Sequence, residues 1–185
     1  GYTGEDGFEI GMPAGQAEKV ARALLACTDV AAAGLGARDS LRLEAGLCLY
    51  GSDIDTTTSP VEGALEWSIQ KSRRPGGARA GGYPGADVVA KHLCEGAARR
   101  RVGLRGEGRA PIRGGAPLFS DAEGTHQVGQ VTSGAFGPSV PGPVSMGYVD
   151  TASAAIGTPL FAGVRGRVLP VHVVALPFVA PTFRR

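Results

Sequence analysis

Two side chains of opposite charge carry most of the usable chemistry in this chain. Glu9 lies in the opening GYTGEDGFEI, and Arg38 lies in the stretch Gly34 to Trp67, GLGARDSLRLEAGLCLYGSDIDTTTSPVEGALEW. A carboxylate accepts two hydrogen bonds side by side, and a guanidinium presents a rigid fork of donors. The alternation Phe8, Glu9, Ile10 after the turn Gly4-Glu5-Asp6-Gly7 predicts a short strand, with Glu9 on the face opposite the two apolar residues, turned to water or into a cavity. Arg38 falls near a predicted helix start, where the helix dipole disfavours a cation. It is expected to serve an anion or carbonyl in a pocket, or to pair with Glu44 or Asp39. A second set of cations, Lys71, Arg73 and Arg74, reads either as solvated surface or as a contact for an acidic partner. His92, His126 and His172 stand apart in helix, loop and strand settings and are read as structural. No Ser/His/Asp set, metal-ligand spacing or phosphate loop occurs, so no catalytic residue and no metal is assigned.

Helices and turns must position these groups. Asp39 or Ser40 is expected to cap a helix whose apolar face is Leu41, Leu43 and Leu47, with Gly46 near its end. Ser59-Pro60-Val61-Glu62 has the form of a capping box, which predicts a second helix running to about Trp67. Upstream, Pro13 opens an amphipathic helix to about Ala26 with Val20, Leu24 and Leu25 inward. Asp29 to Gly36 is expected to be a buried strand or close-packed connection. After Trp67 the composition changes. Lys71 to Gly82, KSRRPGGARAGG, reads as a linker or mobile loop, and Gly85 to Gly96 as a short helix with Val88, Val89 and Leu93 inward. From Arg99 the pattern is all-β, with predicted strands at 101–104, 127–132, 144–149, 159–164 and 167–176, and a hairpin turn at Arg165-Gly166-Arg167. The glycines around Gly134 to Gly142 alternate with prolines and precede no helix, so they are read as a simple connection. The fold class is therefore α+β: residues 1–75 a mixed αβ region, 76–84 a linker and 85–185 a small antiparallel β-barrel.

With 185 residues and 43% apolar content the chain can bury a substantial core. A net charge of +2 gives no support for nucleic acid. Cationic clusters at Arg99 to Arg101 and at the final Arg184-Arg185 are read as surface. Cys27, Cys48 and Cys94 are an odd number without CxxC spacing, which points to reduced thiols and away from zinc. No run approaches the ~20 apolar residues of a membrane helix. The first residue is glycine, so targeting segments are not legible.

The opening GYTGEDGFEI, the Gly34 to Trp67 stretch and the closing GYVD and PFV segments together resemble the T-protein family of the glycine cleavage system, the tetrahydrofolate-dependent aminomethyltransferases. The likeness covers nearly the whole chain in the family's order, and implies that a comparable length precedes GYTGEDG. It implies transfer of a methylene from the aminomethyl-lipoyl arm of a carrier, the H-protein, to tetrahydrofolate as co-substrate, with release of ammonia. Glu9 matches a folate-contacting glutamate. Arg38 would supply donors, and Tyr2 a ring face and hydroxyl. Phe183 stands where the family usually has a tyrosine, keeping apolar contact and losing a hydroxyl. Lys71, Arg73 and Arg74 follow a family pattern of basic residues and would help dock the acidic carrier. The aspartate near the reacting nitrogen belongs to the upstream half, so this chain alone is expected not to turn over. PFVA and GADVV look like plant-type mitochondrial members, pointing to the mitochondrial matrix, with bacterial cytoplasm as the alternative. Two other readings stand beside it: the folate module of a dimethylglycine or sarcosine dehydrogenase, and a non-catalytic folate-binding assembly factor. The KGCxxGQE-type segment of the last is absent here.

Overall fold

A computed structural model describes residues 1–183; the paired Arg184 and Arg185 lie outside the described residues. Six antiparallel strands form a closed barrel: β1 (Arg99–Gly106), β2 (Pro117–Phe119), β3 (Gln127–Gly137), β4 (Gly142–Asp150), β5 (Pro159–Val164) and β6 (Arg167–Val174), in the spatial order β1-β4-β3-β2-β5-β6 with β6 paired back to β1. The α+β class and the C-terminal barrel expected from sequence are both present. Inside the barrel, alternate residues such as Leu104, Leu118, Val131, Leu160 and Val173 form one continuous core. The β5–β6 turn is Arg165-Gly166, both at positive φ (50° and 74°), the backbone that matches the twist of a two-residue hairpin. β2 was missed because three residues carry no measurable alternation. The glycine-rich 134–142 stretch, expected as a connection, is largely strand: Gly134 pairs with Ser145 and Gly137 with Gly142. A Cβ on Gly134 would come within 1.7 Å of the Ile112 carbonyl oxygen, so glycine here serves close backbone approach.

Residues before the barrel form helices and turns laid on its outer wall. Helix α2 (Leu35–Glu44) begins after Gly34, five or six residues earlier than expected, and Ser40 bonds back to the Ala37 carbonyl instead of capping. It ends as predicted: Gly46, at φ +69°, closes a Schellman motif with Gly46 N–H on Leu43 O and Leu47 N–H on Arg42 O. Leu43 is buried with Val144 and Met146, a second apolar cluster between α2 and the outside of β4. β4 is therefore buried on both faces, and eight of its nine residues are inaccessible.

Four sequence expectations fail for a common reason: most of the apolar residues concerned are left uncovered among the described residues. Phe8 to Ile10 forms no strand, and Phe8 is 98% exposed. Helix α1 (Ala17–Leu25), preceded by one 3-10 turn, buries no residue, with Leu24 and Leu25 exposed and Val20 half-buried. Asp29 to Gly34 is exposed and irregular, not a buried strand. In helix α3 (Ala86–Glu95), Val89 is buried while Val88 faces outward.

The capping box forms, yet its helix does not continue. Ser59 N–H donates to Glu62 Oε2 at 2.8 Å and Glu62 N–H to Ser59 Oγ at 3.1 Å. One turn later Ala64, at φ +53°, closes a second Schellman motif. The barrel takes the carbonyls a longer helix would have used: Arg101 N–H donates to Glu62 O (2.7 Å) and Arg101 Nε to Gly63 O (2.8 Å). Only a 3-10 turn, Glu66–Ser68, follows, with Trp67 exposed.

Lys71 to Gly82 is folded on itself, not loose. Arg74 donates to the carbonyls of Ile69 and Glu66, Arg73 to those of Gly81 and Arg79, and Gly77 packs against the Lys71 and Ser72 carbonyls.

Candidate functional site

The structure brings Tyr2, Glu9 and Arg38 together. Arg38 lies in the first turns of α2, and its guanidinium carbon stands 4.3 Å from the centroid of the Tyr2 ring, a cation–π contact. Arg38 Nη2 is 3.9 Å from Glu9 Oε1, a loose pairing. Of the partners expected for Arg38, neither Asp39 nor Glu44 is used, since both are taken elsewhere. The arrangement is open: the Glu9 side chain is 92% exposed and that of Arg38 48%. Of the two settings left open for Glu9, water and a cavity, the side chain is in the first; these groups form one wall. Tyr2 is the fixed part of it, because its hydroxyl donates to the Cys48 carbonyl at 2.7 Å. Burial pushes the Tyr2 phenol above its ordinary value, with the Arg42 and Arg38 charges pulling it back, so it remains a donor at neutral pH. The Cys48 thiol is likewise raised by burial, against the pull of Arg101, and stays protonated and unreactive.

The C-terminal tail returns to the opening turn. Phe178 and Val179 N–H groups donate to the Glu44 carbonyl, Thr182 N–H donates to Gly4 O, and the Thr182 hydroxyl bonds Glu5. Phe183, half-buried, follows directly. The tail is thus delivered to the segment that carries Tyr2.

Sequence reasoning missed what holds this wall in place. Arg42, one helical turn after Arg38, is buried to 2% and anchors α2 on the barrel. Its Nε donates to Asp39 (2.8 Å), Nη1 to Asp53 Oδ2 (2.7 Å) and Nη2 to Ser133 Oγ (2.9 Å). Asp53, 1% exposed, also accepts from Leu49 N–H, Thr132 Oγ1 and Ser133 Oγ. Nearby, buried Glu44 accepts the Ser139 and Val140 N–H groups of the β3–β4 turn at 2.8 and 3.0 Å. The one available signal was the clustering of Arg42, Glu44 and Asp53 among apolar residues, where an unpaired charge would be costly.

Tyr148, on β4, closes this cluster by donating to the Asp53 carbonyl at 2.7 Å. Burial, and then the neighbouring Cys48, push its phenol up to about 12, against the pull of Arg101 and Arg99. Below its unfolded value near 10 the phenol is protonated in both states. Between about pH 10 and about 12 the unfolded chain loses that proton first, so rising pH erodes stability. Tyr148→Phe is expected to remove this alkaline component: the stability gap between wild type and variant should narrow through that window. Denaturant midpoints measured from neutral to alkaline pH check it, and a constant gap would show that the phenol does not titrate abnormally.

The carrier-docking candidates divide. Lys71 is exposed, whereas Arg73 and Arg74 are half-buried and spend N–H groups on backbone carbonyls. Among the described residues, no group of three or more His, Cys, Asp or Glu is placed to hold a metal ion, and no helix is long and apolar enough to cross a membrane.

Comparison with known proteins matches this architecture part by part. Residues 1–73 match the GCVT N-terminal domain, and residues 99–180 the glycine cleavage T-protein C-terminal barrel domain. The chain is 49% identical over 179 residues to a probable mitochondrial aminomethyltransferase of Schizosaccharomyces pombe and 50% identical over 183 residues to the mitochondrial aminomethyltransferase of Canis lupus familiaris. These alignments cover 97% and 99% of this chain and 44% of each relative. The crystal structure of the glycine cleavage system aminomethyltransferase T from Bartonella henselae superposes with a TM-score of 0.90 at 49% identity, over 100% of this chain and 50% of that one. With an open wall of Tyr2, Glu9 and Arg38 set on a six-stranded barrel, and with both family domains matched in order, the chain belongs to the glycine cleavage T-protein family of aminomethyltransferases and spans a little under half the length of its curated relatives.

Proposed function

We propose that this chain supplies the folate-gripping wall of a tetrahydrofolate-dependent aminomethyltransferase in glycine catabolism. In that reaction the methylene of an aminomethyl group, carried on the lipoyl arm of the H-protein, passes to tetrahydrofolate and ammonia is released. The observation that carries the reading is the convergence of Glu9, Arg38 and Tyr2 from two distant segments. A pterin ring presents an amino group and a ring N–H side by side, a donor pair that the Glu9 carboxylate can accept in a bidentate way. The Arg38 fork supplies donors for a carbonyl or carboxylate, and the Tyr2 ring a flat face for stacking. Phe183 would add apolar contact from the tail. These residues fit one side of the co-substrate; we assign recognition to this chain and not turnover.

Lys71, with the charges of Arg73 and Arg74 behind it, suits an acidic carrier, where electrostatics act on the encounter rate more than on final affinity. The mitochondrial names of the relatives support the matrix as the compartment.

Titration of the chain with tetrahydrofolate tests the reading. Binding is expected, and Glu9→Gln is expected to weaken it about 10- to 100-fold, the loss of one charge-assisted hydrogen-bond pair. Arg38→Leu should act in the same direction. Absence of binding, or equal affinity in Glu9→Gln, would overturn the assignment.

A further inference from the structure

A cavity of about 930 Å³ shares no lining residue with the Tyr2–Glu9–Arg38 wall. It opens between the loop 56–60, the folded segment 68–73 and helix α3, and its size is that of a small-molecule site. Its floor is apolar, with Pro60, Val88 and Val89. Two of its nitrogen-bearing side chains, Arg73 and His92, keep hydrogen-bonding capacity to spare. Arg73 spends only Nη1, on the Gly81 and Arg79 carbonyls, and among the described residues no carboxylate lies within 4 Å of it. His92 uses Nδ1 on Ser59 Oγ at 2.8 Å, and its Nε2 has no hydrogen bond among the described residues. The one carboxylate lining the cavity, Glu62, is already taken by Ser59 N–H and Arg99 Nε. Burial alone would raise the Glu62 carboxyl, yet those bonds hold it below its usual range, so it remains an anion satisfied from its own side.

A half-buried guanidinium with no counter-ion among the described residues, beside an imidazole whose Nε2 has no hydrogen bond among them and above an apolar floor, is a receptor for an amphipathic anion. We propose that this cavity is a second binding site, separate from the folate wall, for a small carboxylate with a flat or branched apolar body. Arg73 takes the carboxylate, His92 assists, and Val88 and Val89 hold the body. The site does not depend on the folate reading.

Amide NMR titration of the chain with benzoate tests it, with benzamide as the uncharged isostere and inorganic phosphate as the bare anion. Benzoate is expected to saturate with a Kd of about 1 mM, shifting amides of residues 56–59 and 85–92 while leaving those of Tyr2 and Arg38 in place. Benzamide and phosphate should each bind at least about tenfold more weakly, since one lacks the charge and the other the apolar body. Val88→Trp, which fills the cavity from an exposed position, should abolish the shifts, and Arg73→Gln should reduce benzoate to the level of benzamide. The wild-type mapping decides the matter even if a variant fails to fold. No saturable shift, shifts centred on Tyr2 and Arg38, equal benzamide binding, or equal phosphate binding would each overturn the proposal.

Discussion

Replacing Asp53 with alanine is expected to cost about 3–5 kcal/mol of folding stability, the range found when one partner is stripped from a buried ion pair. The Arg42–Asp53 bridge of 2.7 Å lies between two side chains at 3% and 0% exposure. Removing the carboxylate leaves Arg42 buried with only the half-exposed Asp39 to balance it. The same change orphans the Leu49 N–H and the Ser133 hydroxyl and leaves the Thr132 hydroxyl only the Met146 carbonyl at 3.2 Å. A domain of this size has about 5–15 kcal/mol in total, so the variant should sit near the edge of folding at 37 °C. Asp53→Asn should recover part of the loss: its amide oxygen can take the Oδ2 position while its N–H group faces the Thr132 hydroxyl, but the charge that balances Arg42 is still gone. Urea denaturation of wild type and variants measures the difference. A loss below about 1 kcal/mol would mean that the cluster is wetter than its burial indicates. Tyr2 and Arg38 would suffer with it: Arg42 pins the helix that carries Arg38, and Asp53 orders the loop whose Cys48 carbonyl holds Tyr2.

Glu44→Ala is expected to cost about 3 kcal/mol, since its Oε1 accepts two N–H groups of the β3–β4 turn and hydrogen bonds to a charged group contribute about 1.5–3 kcal/mol each. Glu44→Gln keeps an oxygen acceptor without the charge and should lose about half as much. Hydrogen exchange separates this role from general loosening. In Glu44→Gln the Ser139 and Val140 amides should exchange faster, while Phe178 and Val179, which bond the Glu44 main-chain carbonyl, should keep their protection. Equal acceleration at all four would show that the side chain holds the whole face and not the turn alone.

Both residues show where reading the chain stopped. Helix α2 was legible because Leu43 and Leu47 are spaced i, i+4 and the closing Gly46 follows termination rules, and its end fell as predicted. Its start was misplaced because Asp39 and Ser40 are good caps in general, yet the backbone is already helical from Leu35. The Ser59–Glu62 box was equally legible as local chemistry. It failed as a helix because Arg101, thirty-nine residues beyond Glu62, takes the carbonyls needed for another turn. Val20, Leu24 and Leu25 carry a clear amphipathic stripe and α1 forms, but a stripe announces a partner without providing one.

What the residue order determined is everything that rests on contacts a few positions apart: the helix ends, the β5–β6 hairpin, the alternation that turns five of six strands inward, and a likeness that pointed to Glu9 and Arg38. What only the tertiary structure decided is which charges lie in water and which are entombed. Arg38 and Arg42 are the same residue type one helical turn apart, and nothing local distinguishes them. The barrel does so, by bringing Asp53, Thr132 and Ser133 against one and leaving the other at the surface beside Tyr2. Burying a guanidinium is tolerable only where acceptors surround it, and those acceptors come from segments up to ninety-one positions away.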